Sequence, residues 1–279
     1  MNTRTIFVAL TALASLTRLA YCDDVSASLR AADGLFDLQN KKTLGLESLP
    51  SKRVIVYRAN SKTGIYSHHP SLVVFRGQLY CSWSNGKEGH EDDPGQRVMF
   101  ATSSDGSNWS KPRVLFEPKD KKTESSGAGG FHVHGQTLVA YYTHRKGTPI
   151  LSLLESESTL FARTTRDGTH WSKPIRIASG SFMESPIRLP NGRLLLTGEA
   201  TGPRRRTDKS RMLMLYSDNP NGLGPWEEGR IEPAKAKPIG EEIFRWSEPC
   251  PFVRHDGTIV APFRNTSGYL YASVSKDNR

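Results

Sequence analysis

Histidines occur in two close pairs in this chain, His68-His69 within "YSHHPSL" and His132-x-His134 within "GFHVHG". A neutral imidazole can take a proton or ligate a metal ion. Neighbours on an extended strand face opposite sides, so His68 and His69 are not expected to reach one site together, whereas His132 and His134 share a face. Carboxylates offer the other obvious chemistry, but the most conspicuous of them repeat. Asp105 lies in "SSDGSNWSKPRVLF" and Asp167 in "TRDGTHWSKPIRIA", 62 residues later. A duplicated octet points to a structural unit more than to a catalytic one. Its chemistry suits a corner fastening: Asp accepts hydrogen bonds from turn N–H groups and Gly tolerates a positive φ. Trp109 and Trp171 can then fold back as apolar plugs.

The elements that must position these groups repeat as well. Four units follow one another, beginning at "SLVVFRGQLYCSW", "FHVHGQTLVAYYT", "ESPIRLPNGRLLLTGE" and "SEPCPFVRHDGTIVAPFRN". Each reads as a strand, a Gly turn, a second strand and a third strand ending in a Ser/Thr-x-Asp turn, and the first three add a short fourth strand. The turn aspartates Asp105, Asp167, Asp218 and Asp277 are spaced by 62, 51 and 59 residues. Four-stranded repeats of that length predict an all-β chain, a β-propeller of four-stranded antiparallel blades. Four units account for part of the six- or seven-bladed ring expected of such a fold, so the expectation is a truncated arc with an exposed apolar blade face. The inner strands would converge on an axis, with "YSHHPSL", "GFHVHG", "FMESPIRL" and "RWSEPCPFV" at their starts.

The N-terminus has a positive residue, Arg4, then an apolar run from Ile6 to Leu16. That run is too short to span a bilayer and fits a signal peptide over 1–22, which predicts a secreted or periplasmic protein. Tyr21 argues against a lipoprotein reading at Cys22. Residues 23–50 read as a lead-in and 51–279 as the partial propeller domain. No later stretch has the apolar length of a spanning helix, so no stable membrane insertion is expected. Cys81 and Cys250 make no disulfide framework or CxxC spacing, and two unpaired core cysteines are expected. The net charge of +10 falls, by the two charges of Arg4 and Arg18, to +8. A basic secreted chain attracts polyanions, although "KDKK" and "RRR" also read as solvated loop surface. There is no phosphate loop and no nucleic-acid module. No cofactor is expected, no metal-ligand spacing is diagnostic, and nothing fixes an oligomeric state.

The motif Ser/Thr-x-Asp-x-Gly-x-x-Trp resembles the Asp-box of the sialidase superfamily, and the likeness extends over roughly 51–279. In "SSDGSNW" the serine is Ser103, and in "TRDGTHW" Thr165 replaces it; "SDNPNGLGPW" has an insertion and "SKDNR" is cut short. The resemblance implies an arginine near the start of the first unit that binds a sugar carboxylate; His68 stands there instead. It implies an acid/base aspartate before the first Asp-box, for which Asp92 and Asp93 are candidates, with Glu91 and Arg97 nearby; a solvated acidic loop is the alternative. It implies that Glu248 polarises a tyrosine nucleophile and that Arg264 is a second carboxylate-binding arginine. A hairpin-edge carboxylate is the alternative for Glu248. The third arginine and the tyrosine would fall after residue 279. The His-rich stretch, with His68 as a catalytic candidate and His69, Arg97, His132 and His134 as further substrate contacts, is also similar to propeller enzymes in which a histidine carries the proton transfer on rhamnose–glucuronic acid linkages.

Three functions follow. The first is a secreted exo-glycosidase of the sialidase superfamily acting on terminal acidic sugars. The second is a histidine-based propeller hydrolase or lyase on uronic-acid glycans. The third is a non-catalytic propeller that binds glycan or protein.

Overall fold

A computed structural model describes residues 33–87, 89–91, 93–147, 157–202, 212–230, 248–264 and 271–275. The proposed signal peptide, Asp92 and Asp277 lie outside them. The described residues form four antiparallel sheets. The first is β1 (Tyr66–Phe75), β2 (Gln78–Gly86), β3 (Arg97–Ser103) and β4 (Arg113–Phe116), hydrogen-bonded in that order. The second is β5 (Glu124–His134), β6 (Thr137–Lys146), β7 (Glu157–Thr165) and β8 (Ile175–Ser179). The third is β9 (Ile187–Arg188), β10 (Leu194–Glu199), β11 (Met212–Ser217) and β12 (Glu227–Arg230). The fourth is β13 (Phe252–Val253), β14 (Ile259–Phe263) and β15 (Tyr271–Ser275). This is the expected succession of meander blades in a propeller.

Local chemistry closes the hairpins. Phe75 pairs with Gln78 across Arg76-Gly77, whose φ values of 51° and 74° are those of a primed turn matching the strand twist. Successive blades pack face to face through apolar side chains. Phe75, Val98, Phe100 and Leu115 of the first blade pack with Phe131, Leu138, Ala140 and Tyr142 of the second. Val139, Tyr141 and Leu160 of the second meet Leu196, Leu213 and Leu215 of the third. Leu195 and Met214 of the third meet Ile259, Phe263 and Tyr271 of the fourth. On the first blade's other face Tyr57 stacks on Trp83 at 5.2 Å, while Leu72 and Val74 stay exposed. Cys81 is buried and unpaired as expected; Cys250 is also unpaired but exposed, which corrects its placement in the core.

The octets are corner fastenings. Asp105 Oδ1 accepts from the N–H groups of Ser107 and Asn108 at 2.8 Å each. Asp167 Oδ1 accepts from Thr169 and His170 in the same way, again at 2.8 Å. Trp171 runs edge-on to Phe100 at 5.7 Å, so the plug of the second blade seals the joint with the first. A Cβ on Gly168 would stand 1.9 Å from the Tyr80 hydroxyl, so this glycine is needed for close approach as well as for its φ of 75°. The third copy differs from the expectation. Asp218 turns away to a bidentate ion pair with Arg193 at 2.6 and 2.8 Å. Asn219 takes over the turn, accepting from Asn221 N–H at 3.1 Å. Asn219 stands two residues after Ser217, as Asp105 stands after Ser103, and its N–H likewise bonds back to the serine hydroxyl at 3.2 Å, so it holds the box position and Asp218 the variable one.

These bonds hold the carboxyls of Asp105 and Asp167 well below the usual range, for Asp105 through Asn108 first and for Asp167 through His170 first. A group whose folded pKa is depressed stabilises the fold above its unfolded value of about 4 and loses that contribution as pH falls through the folded value. Asp167→Ala is therefore expected to lower the melting temperature at neutral pH. The gap from the parent protein should narrow in acid, measured by thermal melts across pH.

Candidate active site

The first strands of successive blades adjoin near one node. Ser185, entering the third blade, has its hydroxyl 3.3 Å from that of Ser71 in the first and accepts from Phe131 N–H of the second at 2.9 Å. Gly130 is required there, because a Cβ would stand 2.1 Å from Ser185 Oγ. The buried run Ser125 to Phe131 is made almost wholly of Ser, Gly and Ala, the side chains that fit where strands crowd together.

Both β1 and β5 break register in corresponding places, between His68 and Ser71 and between Ala128 and Phe131. The break in β1 overturns the expectation that its adjacent histidines diverge. His69 adopts a left-handed φ of 50°, and the bulge re-aims its side chain. The two imidazoles lie 3.9 Å apart and share one partner. His68 Nδ1 is 3.6 Å and His69 Nε2 is 3.2 Å from Glu91 Oε1. Burial first, then the charges of His68, Arg145 and Arg264, push the His69 pKa down to about 3, so it is neutral across the physiological range.

Glu248 and Arg264 face the same place from the fourth blade. Arg264 Nε lies 3.2 Å from Glu248 Oε2 and its Nη2 donates to Oε1 at 3.3 Å. The Arg264 side chain remains 56% exposed while engaging Glu248 through two of its nitrogens. Glu248 has a φ of 42°, a strain seen at few non-glycine residues and concentrated at functional sites. Burial raises its pKa; Arg264 opposes the rise and Glu91 adds to it. Glu184, at the start of the third blade, is raised by burial and then by the charge of Glu248. Tyr66 is pushed up to about 12, by burial first and Glu91 next. Arg145, almost fully buried, bonds to Ser181 Oγ at 2.8 Å and feels the charges of Glu91, Glu199 and Tyr66.

The fold thus gathers His68, His69, Glu91, Glu248 and Arg264, with Asp93 within electrostatic reach of Tyr66. Other candidates lie elsewhere. His132 and His134 are near the far end of β5, which begins at Glu124, eight residues before His132; they are not at the strand start. His132 Nε2 donates to Pro220 O at 2.8 Å and ties the third blade's turn to the second blade, while His134 is an exposed hairpin residue. Arg97 is occupied by Asn85 Oδ1, Thr63 O and Glu117, which anchor the segment preceding β1.

Glu184, Arg145 and Tyr66 escape a reading by motif. Glu184 had a usable signal, since "MESP" of the third unit matches "SEP" of the fourth around Glu248. Arg145 had a weaker one, an arginine within the polar end "THRK" of a largely apolar strand. The bulge that joins the two histidines has no mark in sequence beyond Pro70.

No curated protein matches the chain in sequence. Among solved structures, a leech intramolecular trans-sialidase holding 2,7-anhydro-Neu5Ac superposes with a TM-score of 0.58 at 12% identity, over 82% of this chain and 52% of that one. The intramolecular trans-sialidase from Ruminococcus gnavus with oseltamivir carboxylate gives 0.58 at 12%, over 81% and 71%. Trypanosoma rangeli sialidase with sialic acid gives 0.53 at 15%, over 84% and 40%. The chain spans about half the length of the leech enzyme. These likenesses concern the blade architecture. Residues 77–279 match the BNR repeat-like domain, and the chain belongs to that family, with a β-propeller fold like that of the sialidases on which it superposes.

Proposed function

We propose that this protein is a secreted glycan-processing enzyme that acts on a terminal acidic sugar at the convergent strand starts. The observation that supports this most directly is the Arg264 guanidinium paired with Glu248, a carboxyl of raised pKa whose charge also raises that of Glu184. A planar cation fork suits a sugar carboxylate. A carboxyl of raised pKa holds its proton to higher pH than a free one, which suits proton donation to a glycosidic oxygen. Tyr66, held as a phenol, suits proton donation rather than attack. Secretion rests on the pattern of residues 1–22.

The half-exposed His68, beside Glu91, favours a second reading in a metal-free site, β-elimination on a uronate. A neutral imidazole can take the proton next to the carboxylate while Arg264 offsets the charge that develops. The C–H and the glycosidic C–O bonds break, a C=C bond forms, and the leaving oxygen receives a proton from Glu248 or Tyr66. Incubation with sialyl-lactose and with glucuronyl oligosaccharides separates the readings. Release of free sugar without ultraviolet absorbance marks hydrolysis, and an absorbing unsaturated uronate marks elimination. Silence on both panels would leave the binding-only alternative. Arg264→Gln is expected to raise KM for the carboxylated substrate about 10- to 150-fold, the equivalent of losing a charged hydrogen bond of about 1.5–3 kcal/mol. A methyl-ester substrate should be affected far less.

A further inference from the structure

We propose that His68, His69 and Glu91 form a site for one divalent transition-metal ion, with Zn2+ the best fit. One ligand atom from each lies within 4.8 Å of the others, and among the described residues no other group of three His, Cys, Asp or Glu comes so close together. Zinc bonds to imidazole nitrogen and carboxylate oxygen are about 2.0–2.2 Å, so neighbouring ligand atoms of a tetrahedral site lie about 3.3–3.5 Å apart. The separations of Glu91 Oε1 from His69 Nε2 and His68 Nδ1, 3.2 and 3.6 Å, bracket that edge.

The second observation is His69 itself. Its side chain is only 10% exposed, yet neither ring nitrogen completes a hydrogen bond, although Nε2 stands 3.2 Å from a carboxylate oxygen. A buried imidazole without a partner is costly, and a metal ion satisfies its lone pair. The β1 bulge and the left-handed backbone at His69 are what turn its ring toward Glu91. Two histidines and one glutamate are a ligand set for zinc that leaves a fourth position open. The charges of Glu248 and Arg264 act on the same cluster. The ion would supply positive charge where the sialidase resemblance leads one to expect an arginine and this chain has His68. That role rests on the proposed function; the site itself does not.

The test is titration of the chelator-treated full chain with Zn2+ by calorimetry, and with Co2+ by visible absorption. One equivalent should bind, with the d–d bands of a tetrahedral nitrogen–oxygen site. Glu91→Gln and His68→Ala alter partly exposed side chains and should each weaken binding by more than about 100-fold, because loss of an outer partner alone costs about 10- to 100-fold. His69→Ala should do the same with an unchanged circular dichroism spectrum, and His134→Ala should leave binding intact. Failure to bind either ion stoichiometrically, or affinity unchanged in Glu91→Gln and His68→Ala, overturns the proposal. The titration needs no substrate, so a protein that binds zinc but turns over no acidic glycan fails the functional proposal and leaves the site standing.

Discussion

Phe182→Ala is expected to destabilise the protein by about 3–5 kcal/mol, the range for deleting a buried aromatic side chain. Phe182 is fully buried between the second and third blades, among Val139, Tyr141, Leu160, Leu196 and Leu213. Its backbone is fixed on both sides: Phe182 N donates to Thr143 Oγ1 at 2.9 Å, and that hydroxyl donates to Phe182 O at 2.8 Å. Ser181 adds a two-way backbone pairing with Glu199, 2.9 Å in each direction. The ring also rests against glycine backbone, since a Cβ on Gly198 would stand 2.4 Å from its Cδ1. A wall of paired strand and glycine has little freedom to collapse into the space left, which places the substitution high in its range. Urea unfolding measures the loss; a change below about 1 kcal/mol would show that the blade joint does not depend on this ring. The same loop carries Glu184 two residues on, so ligand binding should weaken in parallel with stability.

The joints between blades were legible only in outline. The octets around Asp105 and Asp167 announced the turns because their chemistry is local: an aspartate and the amides it caps are at most three residues apart. Asp218 misleads for the same reason. It stands one residue after Ser217 where Asp105 stands two after Ser103, so Asn219 fills the box position and Arg193, 25 residues upstream, takes the Asp218 carboxylate. Strand alternation likewise describes a regular strand, and His68 and His69 sit at an irregularity. A bulge is settled by how two blades fit, through Ser71, Ser185 and Gly130, which a linear reading does not bring together. His132 and His134 fail in the opposite way. Their shared face is real, but β5 begins with the small-residue run at Glu124, so the histidines fall at its far end. Glu248 and Arg264 were found through family resemblance. Their ion pair across the fourth blade is a contact between residues 16 apart that spacing alone would not give.

Glu248→Gln is expected to lower turnover about 10²- to 10⁴-fold with little change in KM, the effect of removing a proton donor from the reacting bond. Glutamine keeps the size of the side chain and an acceptor for Arg264, so the loss isolates the proton. Burial raises the Glu248 pKa while Arg264 pulls it down. A donor must be protonated, so turnover should fall as pH rises through this elevated value, and that alkaline limb should vanish in Glu248→Gln. Removing the opposing cation gives the converse sign: Arg264→Gln raises the Glu248 pKa further and moves the limb to higher pH, a shift that a purely structural arginine would not produce. Glu184 provides the internal control. The charge of Glu248 helps to raise its pKa, so a neutral residue at 248 should let the Glu184 carboxyl ionise at lower pH. Turnover within a few-fold of the parent protein in both Glu248→Gln and Glu184→Gln, with the alkaline limb in place, would remove these carboxyls from the chemistry and leave the proton transfer to His68 or Tyr66.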